Sequence, residues 1–135
     1  MSFFKRLFSP SNDPPRSLAH PGSGCDSARD ALALLIQRLH EHYDGGWIDL
    51  YVSIPDSTSK AKLALQITSD ELNLLKDELA PPLATALGLK RKAPSLYQLP
   101  DFASPAQAST LVEQVLLRHF NLPRFDTFDA GIDPG

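Results

Sequence analysis

The segment WIDLYVSIPDSTSKAKLALQI, residues 47–67, decides the predicted fold because it contains two runs in which apolar and polar side chains alternate. A period of two is typical of a strand with one buried face. Pro55 ends the first run, and the short polar loop after it predicts an antiparallel hairpin. A two-stranded ribbon is marginal alone, so helices are expected to cover its apolar face.

Two helices with clear start signals flank this hairpin. The folded part is expected to begin at residue 26 or 27, where Ser27 can cap a helix that ends near Tyr43, before a Gly-Gly turn. The last helix has Ser104 at the cap, Pro105 at the first position and Gln107 where a capping box requires it. Its apolar spacing predicts a helix with one buried stripe that ends before residue 123.

A further helix is predicted between these two. Thr68 and Glu71 have the spacing of a capping box, and leucines recur after them at helical intervals. Pro81 and Pro82 are expected to interrupt this helix, which resumes briefly and ends at Gly88. Residues 89–103, with two prolines, are expected to form a long loop.

The predicted domain organisation is a single α+β domain at residues 26–122. It consists of a small antiparallel sheet of two or three strands packed by three helices. Residues 1–25 are expected to be a flexible segment with a short amphipathic patch, and residues 123–135 a flexible acidic tail.

Composition narrows the function classes. A formal charge of −3 with no basic stripe disfavours a nucleic-acid-binding face. The single cysteine, Cys25, cannot form an internal disulfide, which fits a reducing cytoplasm. No apolar run approaches the ~20 residues needed to span a bilayer, and the basic, phenylalanine-rich start does not have the form of a secretory signal peptide.

The common sequence motifs of catalytic and metal-binding sites are not found in this sequence. It lacks a phosphate-binding glycine loop, a nucleophile elbow, Cys-x-x-Cys and His-Glu-x-x-His. His40 and His42 are two residues apart and point to different sides of a helix, so they do not predict a metal site. We therefore expect no cofactor and no enzymatic activity. An unconventional active site around Asp49, Tyr51 and a histidine is the remaining enzymatic alternative.

One face of the first strand is a candidate surface for a protein partner. Trp47, Asp49, Tyr51 and Ser53 alternate with the apolar positions, and aromatic side chains of this kind contribute large contact areas. The alternative is that more of the chain, such as the loop at 89–103, covers this face. A homodimer is also compatible with the sequence, because pairing of two copies would extend a small sheet.

The N-terminal patch is a second candidate for docking. Phe3, Phe4, Leu7 and Phe8 fall at helical spacing beside Lys5 and Arg6. Such a segment can contact an anionic membrane weakly or enter a groove of a partner. The alternative is a disordered start whose apolar residues pack loosely on the domain.

The run LALQITSDELNLLKDELAPPLATALGLKRKAP at residues 63–94 and the helix ASTLVEQVLLRHFNLP at residues 108–123 resemble the TY-Chap domains of bacteria. These are small α+β domains related in shape to type III secretion chaperones and YbjN-like proteins. Leu89 follows Gly88 where that family often has an aromatic residue. The resemblance implies a non-enzymatic, chaperone-like binding domain that can form dimers, and it assigns no catalytic residues.

Two functions therefore follow as expectations. The first is a cytoplasmic bacterial protein-binding module without enzymatic activity. The second is a peripheral membrane or assembly-associated protein tethered through its amphipathic N-terminus.

Overall fold

The structure, a computed structural model, describes residues 27–43, 45–53, 61–101 and 103–135. Within these residues the chain forms three helices and one six-stranded antiparallel sheet. The helices are α1 (Ala28–His42), α2 (Pro81–Leu87) and α3 (Pro105–Arg118). The strands are β1 (Trp47–Val52), β2 (Lys62–Ile67), β3 (Glu71–Asn73), β4 (Lys90–Ala93), β5 (Leu96–Gln98) and β6 (Asp129–Asp133).

The sheet has the strand order β4-β5-β3-β2-β1-β6. The predicted antiparallel pairing of β1 with β2 is confirmed, with Ile48 opposite Ile67 and Leu50 opposite Leu65. The fold is α+β as expected, but the predicted sheet of two or three strands is wrong. Four further strands come from segments that were assigned to a helix, a loop and a flexible tail.

The helix predicted after Thr68 does not form. The Thr68 side chain accepts a hydrogen bond from the Glu71 amide at 3.0 Å, as a helix cap would. The Thr68 amide, however, donates to the Glu71 carbonyl at 2.9 Å, which closes a tight turn and pairs β2 with β3. A capping box and a β-turn share the same local hydrogen bond, and tertiary pairing selects the turn.

Pro81 and Pro82 begin α2 instead of interrupting a longer helix. Proline suits the first turn because its missing N–H has no helical partner there. The predicted end is correct: Gly88 adopts a left-handed conformation with φ of 71°, and its amide donates to the carbonyls of Ala84 and Thr85.

The predicted loop at 89–103 contains the hairpin of β4 and β5. Pro94 and Ser95 form its two-residue connection, and Ser95 has a positive φ of 68°. This arrangement fits a type II turn, with proline at the second position and a left-handed residue at the third. The Ser95 carbonyl accepts from the Leu74 amide at 2.7 Å, which attaches the turn to the chain after β3.

The predicted acidic tail contains the edge strand β6. All five residues of β6, Asp129–Asp133, pair with β1 at residues 47–51. Phe125 and Phe128 are buried and stack with ring centres 5.5 Å apart, while Ile132 is also buried. The apolar residues of this segment therefore belong to the core, which explains why the segment is ordered as part of the sheet.

The helices lie on one face of the sheet, which we call the inner face. The buried sides of α1 and α3 pack against each other, and the Ser109 hydroxyl donates to the Arg29 carbonyl at 2.6 Å between them. At the other end, buried Tyr97 accepts a hydrogen bond from the Leu79 amide at 2.8 Å, just before α2. Within the described part of the chain, no helix is long and apolar enough to cross a membrane.

Candidate binding surface on the outer face of the sheet

The outer face is the side of the sheet opposite the helices. Strand alternation and cross-strand register place on it Trp47, Asp49 and Tyr51 of β1, Leu63 and Gln66 of β2, Glu71 and Asn73 of β3, Leu96 and Gln98 of β5, and Asp129 and Asp133 of β6. All of these side chains except Asp49 and Asp133, which are buried, are half-buried, as expected for neighbours that shield one another on an open sheet.

A ladder of polar side chains crosses three strands of this face. Gln66 donates to Asp49 at 2.8 Å, and Asn73 donates to Gln66 at 3.3 Å. The Asn73 side chain also accepts from the Leu75 amide at 2.9 Å. Because each amide has a partner on both sides, the ladder holds these side chains in fixed orientations.

Asp49 is the buried end of the ladder, with 5% of its surface exposed. Burial raises the pKa of this carboxyl above that of an ordinary aspartate, hydrogen bonds from Gln66 and Trp47 act in the opposite direction, and the carboxylate of Asp133 raises it further. Burial and the charge of Asp49 also raise the pKa of Tyr51. The centre of the face therefore combines a shielded acceptor with two aromatic side chains.

A charged pair lies at the other end of the face. Lys92 Nζ lies 2.6 Å from Glu71 Oε2, and the hydrogen bond to Glu71 raises the pKa of Lys92. On the inner side of the same strand, Arg91 pairs with Glu78 at 2.6 Å. Both pairs are solvent-accessible and therefore contribute little to stability. Their main effect is on the distribution of charge at the β4 edge.

The structure brings together three of the four predicted partner-binding residues. Trp47, Asp49 and Tyr51 share the outer face, and the Trp47 indole donates to Asp49. Ser53 follows the end of β1 and is exposed, outside the ladder. The second predicted docking patch, Phe3, Phe4, Leu7 and Phe8, lies outside the described residues.

Sequence reasoning missed Gln66, Asn73 and Asp133 as members of this surface. Gln66 occupies a polar position in the alternation of residues 47–67, but its pairing with Asp49 depends on strand register. That register includes a bulge: Leu50 pairs with Leu65 and Tyr51 with Leu63, which leaves Ala64 unpaired and turns Leu63 outward. Asn73 and Asp133 were assigned to a helix and to the tail.

The three histidines of the described residues give no support to a catalytic cluster at Asp49, and His20 lies outside those residues. His119 lies 3.2 Å from Asp77, at the end of α3 on the inner side of the sheet. His40 and His42 are exposed in the last turn of α1. Within the described ranges, no group of three His, Cys, Asp or Glu side chains could hold a metal ion.

Comparison with known protein families, with curated proteins and with solved structures finds no match to this chain. The outer face must therefore be interpreted from its own chemistry.

Proposed function

We propose that this chain is a non-enzymatic protein-binding module that presents the outer face of its sheet to another polypeptide. The observation that carries the proposal is the placement of half-exposed Trp47 and Tyr51 on both sides of a fixed polar ladder. Aromatic side chains bury large areas at low entropic cost and are common anchors of protein interfaces. The pre-oriented amides of Gln66 and Asn73 can add hydrogen bonds without further ordering.

The chaperone-like character of the module, and its place in a bacterial cytoplasm, belong to the same proposal. They rest on the resemblance to TY-Chap domains and on the single cysteine of the chain. A sheet that offers neutral amides beside aromatic rings suits a partner with mixed polar and apolar side chains, as an unfolded or extended polypeptide has.

A homodimer remains a prediction, and β4 is the edge with the most exposed side chains. Lys90, Arg91 and Lys92 are all exposed on this strand. Two copies that paired there would bring like charges together, and basic edges of this type oppose self-association. We therefore place the partner contact on the outer face and not at this edge.

The test is a binding measurement with paired variants. The full chain is immobilised and the proteins that it captures from a bacterial lysate are quantified. Trp47→Ala and Tyr51→Ala should each reduce capture at least tenfold, while Leu34→Ala, an exposed leucine on α1, should not. Thermal melting of each variant controls for folding. Equal capture by folded outer-face variants and the wild type would contradict the proposal.

A further inference from the structure

A shallow apolar groove lies at the beginning of α3. It is open to solvent and has a volume of about 680 Å³, within the range of sites that bind ligands or side chains. Its apolar lining comes from Pro100, Ala103, Ala106 and Leu111, and Asp101, Gln107 and Thr110 also line it. The groove is formed by α3 and the chain that leads into it from β5, so it is separate from the polar ladder.

The N-terminal part of the chain enters the fold next to this groove. The Ser109 hydroxyl contacts the Arg29 carbonyl at 2.6 Å, and Arg29 Nη1 lies 3.4 Å from Glu113. Ser109 is within one helical turn of Ala106. Ser27, two residues before Arg29, can be only about 7 Å farther from Ser109 than Arg29 is. The described fold therefore begins, at Ser27, close to the groove.

We infer that residues 3–8 of the same chain dock in this groove. Phe3, Phe4, Leu7 and Phe8 supply an apolar surface, and each aromatic ring can bury about 150–250 Å². Docking would remove this surface from water and cover the apolar lining of the groove. This inference does not depend on the proposed function of the outer face.

Charge favours the same arrangement. Lys5 and Arg6 are interleaved with the apolar residues, and Asp101 borders the groove. An adjoining depression is lined by both Asp70 and Asp101. Lys90 lines a second depression with Asp101, so the acidic charge is concentrated on the side of Asp70. The basic residues should face that side.

Because the tether is short, a contact of weak intrinsic affinity is sufficient to populate the docked state. The chain from Phe8 to Ser27 would have a root-mean-square span of about 25 Å as a flexible coil. A tether of this length gives an effective concentration in the millimolar range. Millimolar intrinsic affinity would therefore populate the docked state, and this population would not depend on protein concentration.

The experiment compares backbone amide spectra of full-length variants. Phe4→Ser/Leu7→Ser should shift the signals of Ala103, Ala106 and Thr110, whereas Leu18→Ser, the same change outside the patch, should leave them in place. In the reciprocal variant, Ala106→Arg fills the groove with positive charge at an exposed position, and amides of residues 3–8 should exchange several-fold faster. Gln37→Arg on the exposed side of α1 is its matched control.

Two results would overturn the inference. The first is that the groove signals are the same in the wild type and in Phe4→Ser/Leu7→Ser. The second is that the groove signals of the wild type move on stepwise dilution to the positions seen in that variant, because the occupant would then be a segment of a second copy.

Discussion

Gln66 donates a hydrogen bond to Asp49 at 2.8 Å, and the two residues lie directly opposite each other in the β1–β2 ladder. The hydrogen bond thus joins the strands through side chains at the same position where the backbone pairs them. It also provides a partner for a carboxylate that is 5% exposed, in a place where an unpaired charge would be costly.

Asp49→Asn should change how stability depends on pH. Because burial raises the pKa of Asp49, the folded state binds its proton more tightly than the unfolded state. Lowering the pH from neutral through this raised pKa should therefore stabilise the wild type relative to Asp49→Asn. Urea denaturation of both proteins at several pH values between about 7.5 and about 4 measures the difference in free energy of unfolding.

The matched variant is Asp126→Asn, an exposed aspartate in the segment before β6. It removes a carboxylate from the surface and controls for the loss of one negative charge. If Asp49→Asn and the wild type keep a constant difference across the range, the raised pKa is not linked to folding.

Tyr97→Phe should lower the free energy of unfolding by about 1–3 kcal/mol. The substitution removes the acceptor for the Leu79 amide and leaves that N–H buried without its partner. Tyr43→Phe, at a half-buried ring that packs against the core, should change stability by less than about 0.5 kcal/mol. Chemical denaturation of both variants tests the prediction, and equal losses would argue against a role for the hydroxyl of Tyr97.

Gly46→Ala should destabilise the attachment of β6. A Cβ at this position would overlap the Asp133 carbonyl oxygen and come within 3.0 Å of the Pro134 backbone. Overpacking of this kind typically costs about 1–3 kcal/mol. In a chain that ends at residue 132 the obstructing atoms are gone, so the same substitution should have a much smaller effect. The wild type, Gly46→Ala, the chain that ends at residue 132 and Gly46→Ala in that shorter chain form a double-mutant cycle. Thermal melting of these four proteins isolates the coupling between Gly46 and the last residues.

Leu75→Asn should raise the free energy of unfolding by about 1 kcal/mol. Leu75 has a left-handed φ of 66°, which is unfavourable for leucine and tolerated by asparagine, and its side chain is 39% exposed. Leu34→Asn, at a similarly exposed position inside α1, should instead destabilise by about 0.5 kcal/mol through helix propensity. A loss of stability in Leu75→Asn would indicate that the leucine side chain makes a contribution larger than the backbone strain.

The elements predicted correctly have signals within a few neighbouring residues. Ser27 accepts from the Asp30 amide as a helix cap, and Ser104 and Gln107 form both hydrogen bonds of a capping box. The alternation from Trp47 to Val52 defines a strand with one buried face. These patterns depend on local hydrogen bonds and on side-chain periodicity, so the sequence alone determined α1, α3 and the β1–β2 hairpin.

Tertiary pairing decided the rest of the sheet. Glu71–Asn73, Leu96–Gln98 and Asp129–Asp133 are three to five residues long, too short for a period of two to distinguish them from helix or loop. Their neighbours are distant in sequence, as where Asp133 lies opposite Trp47. The outer face also depends on this pairing. The sequence by itself placed Trp47, Asp49 and Tyr51 on one side of a strand, and only the register of the sheet brought Gln66, Asn73 and Asp133 to them.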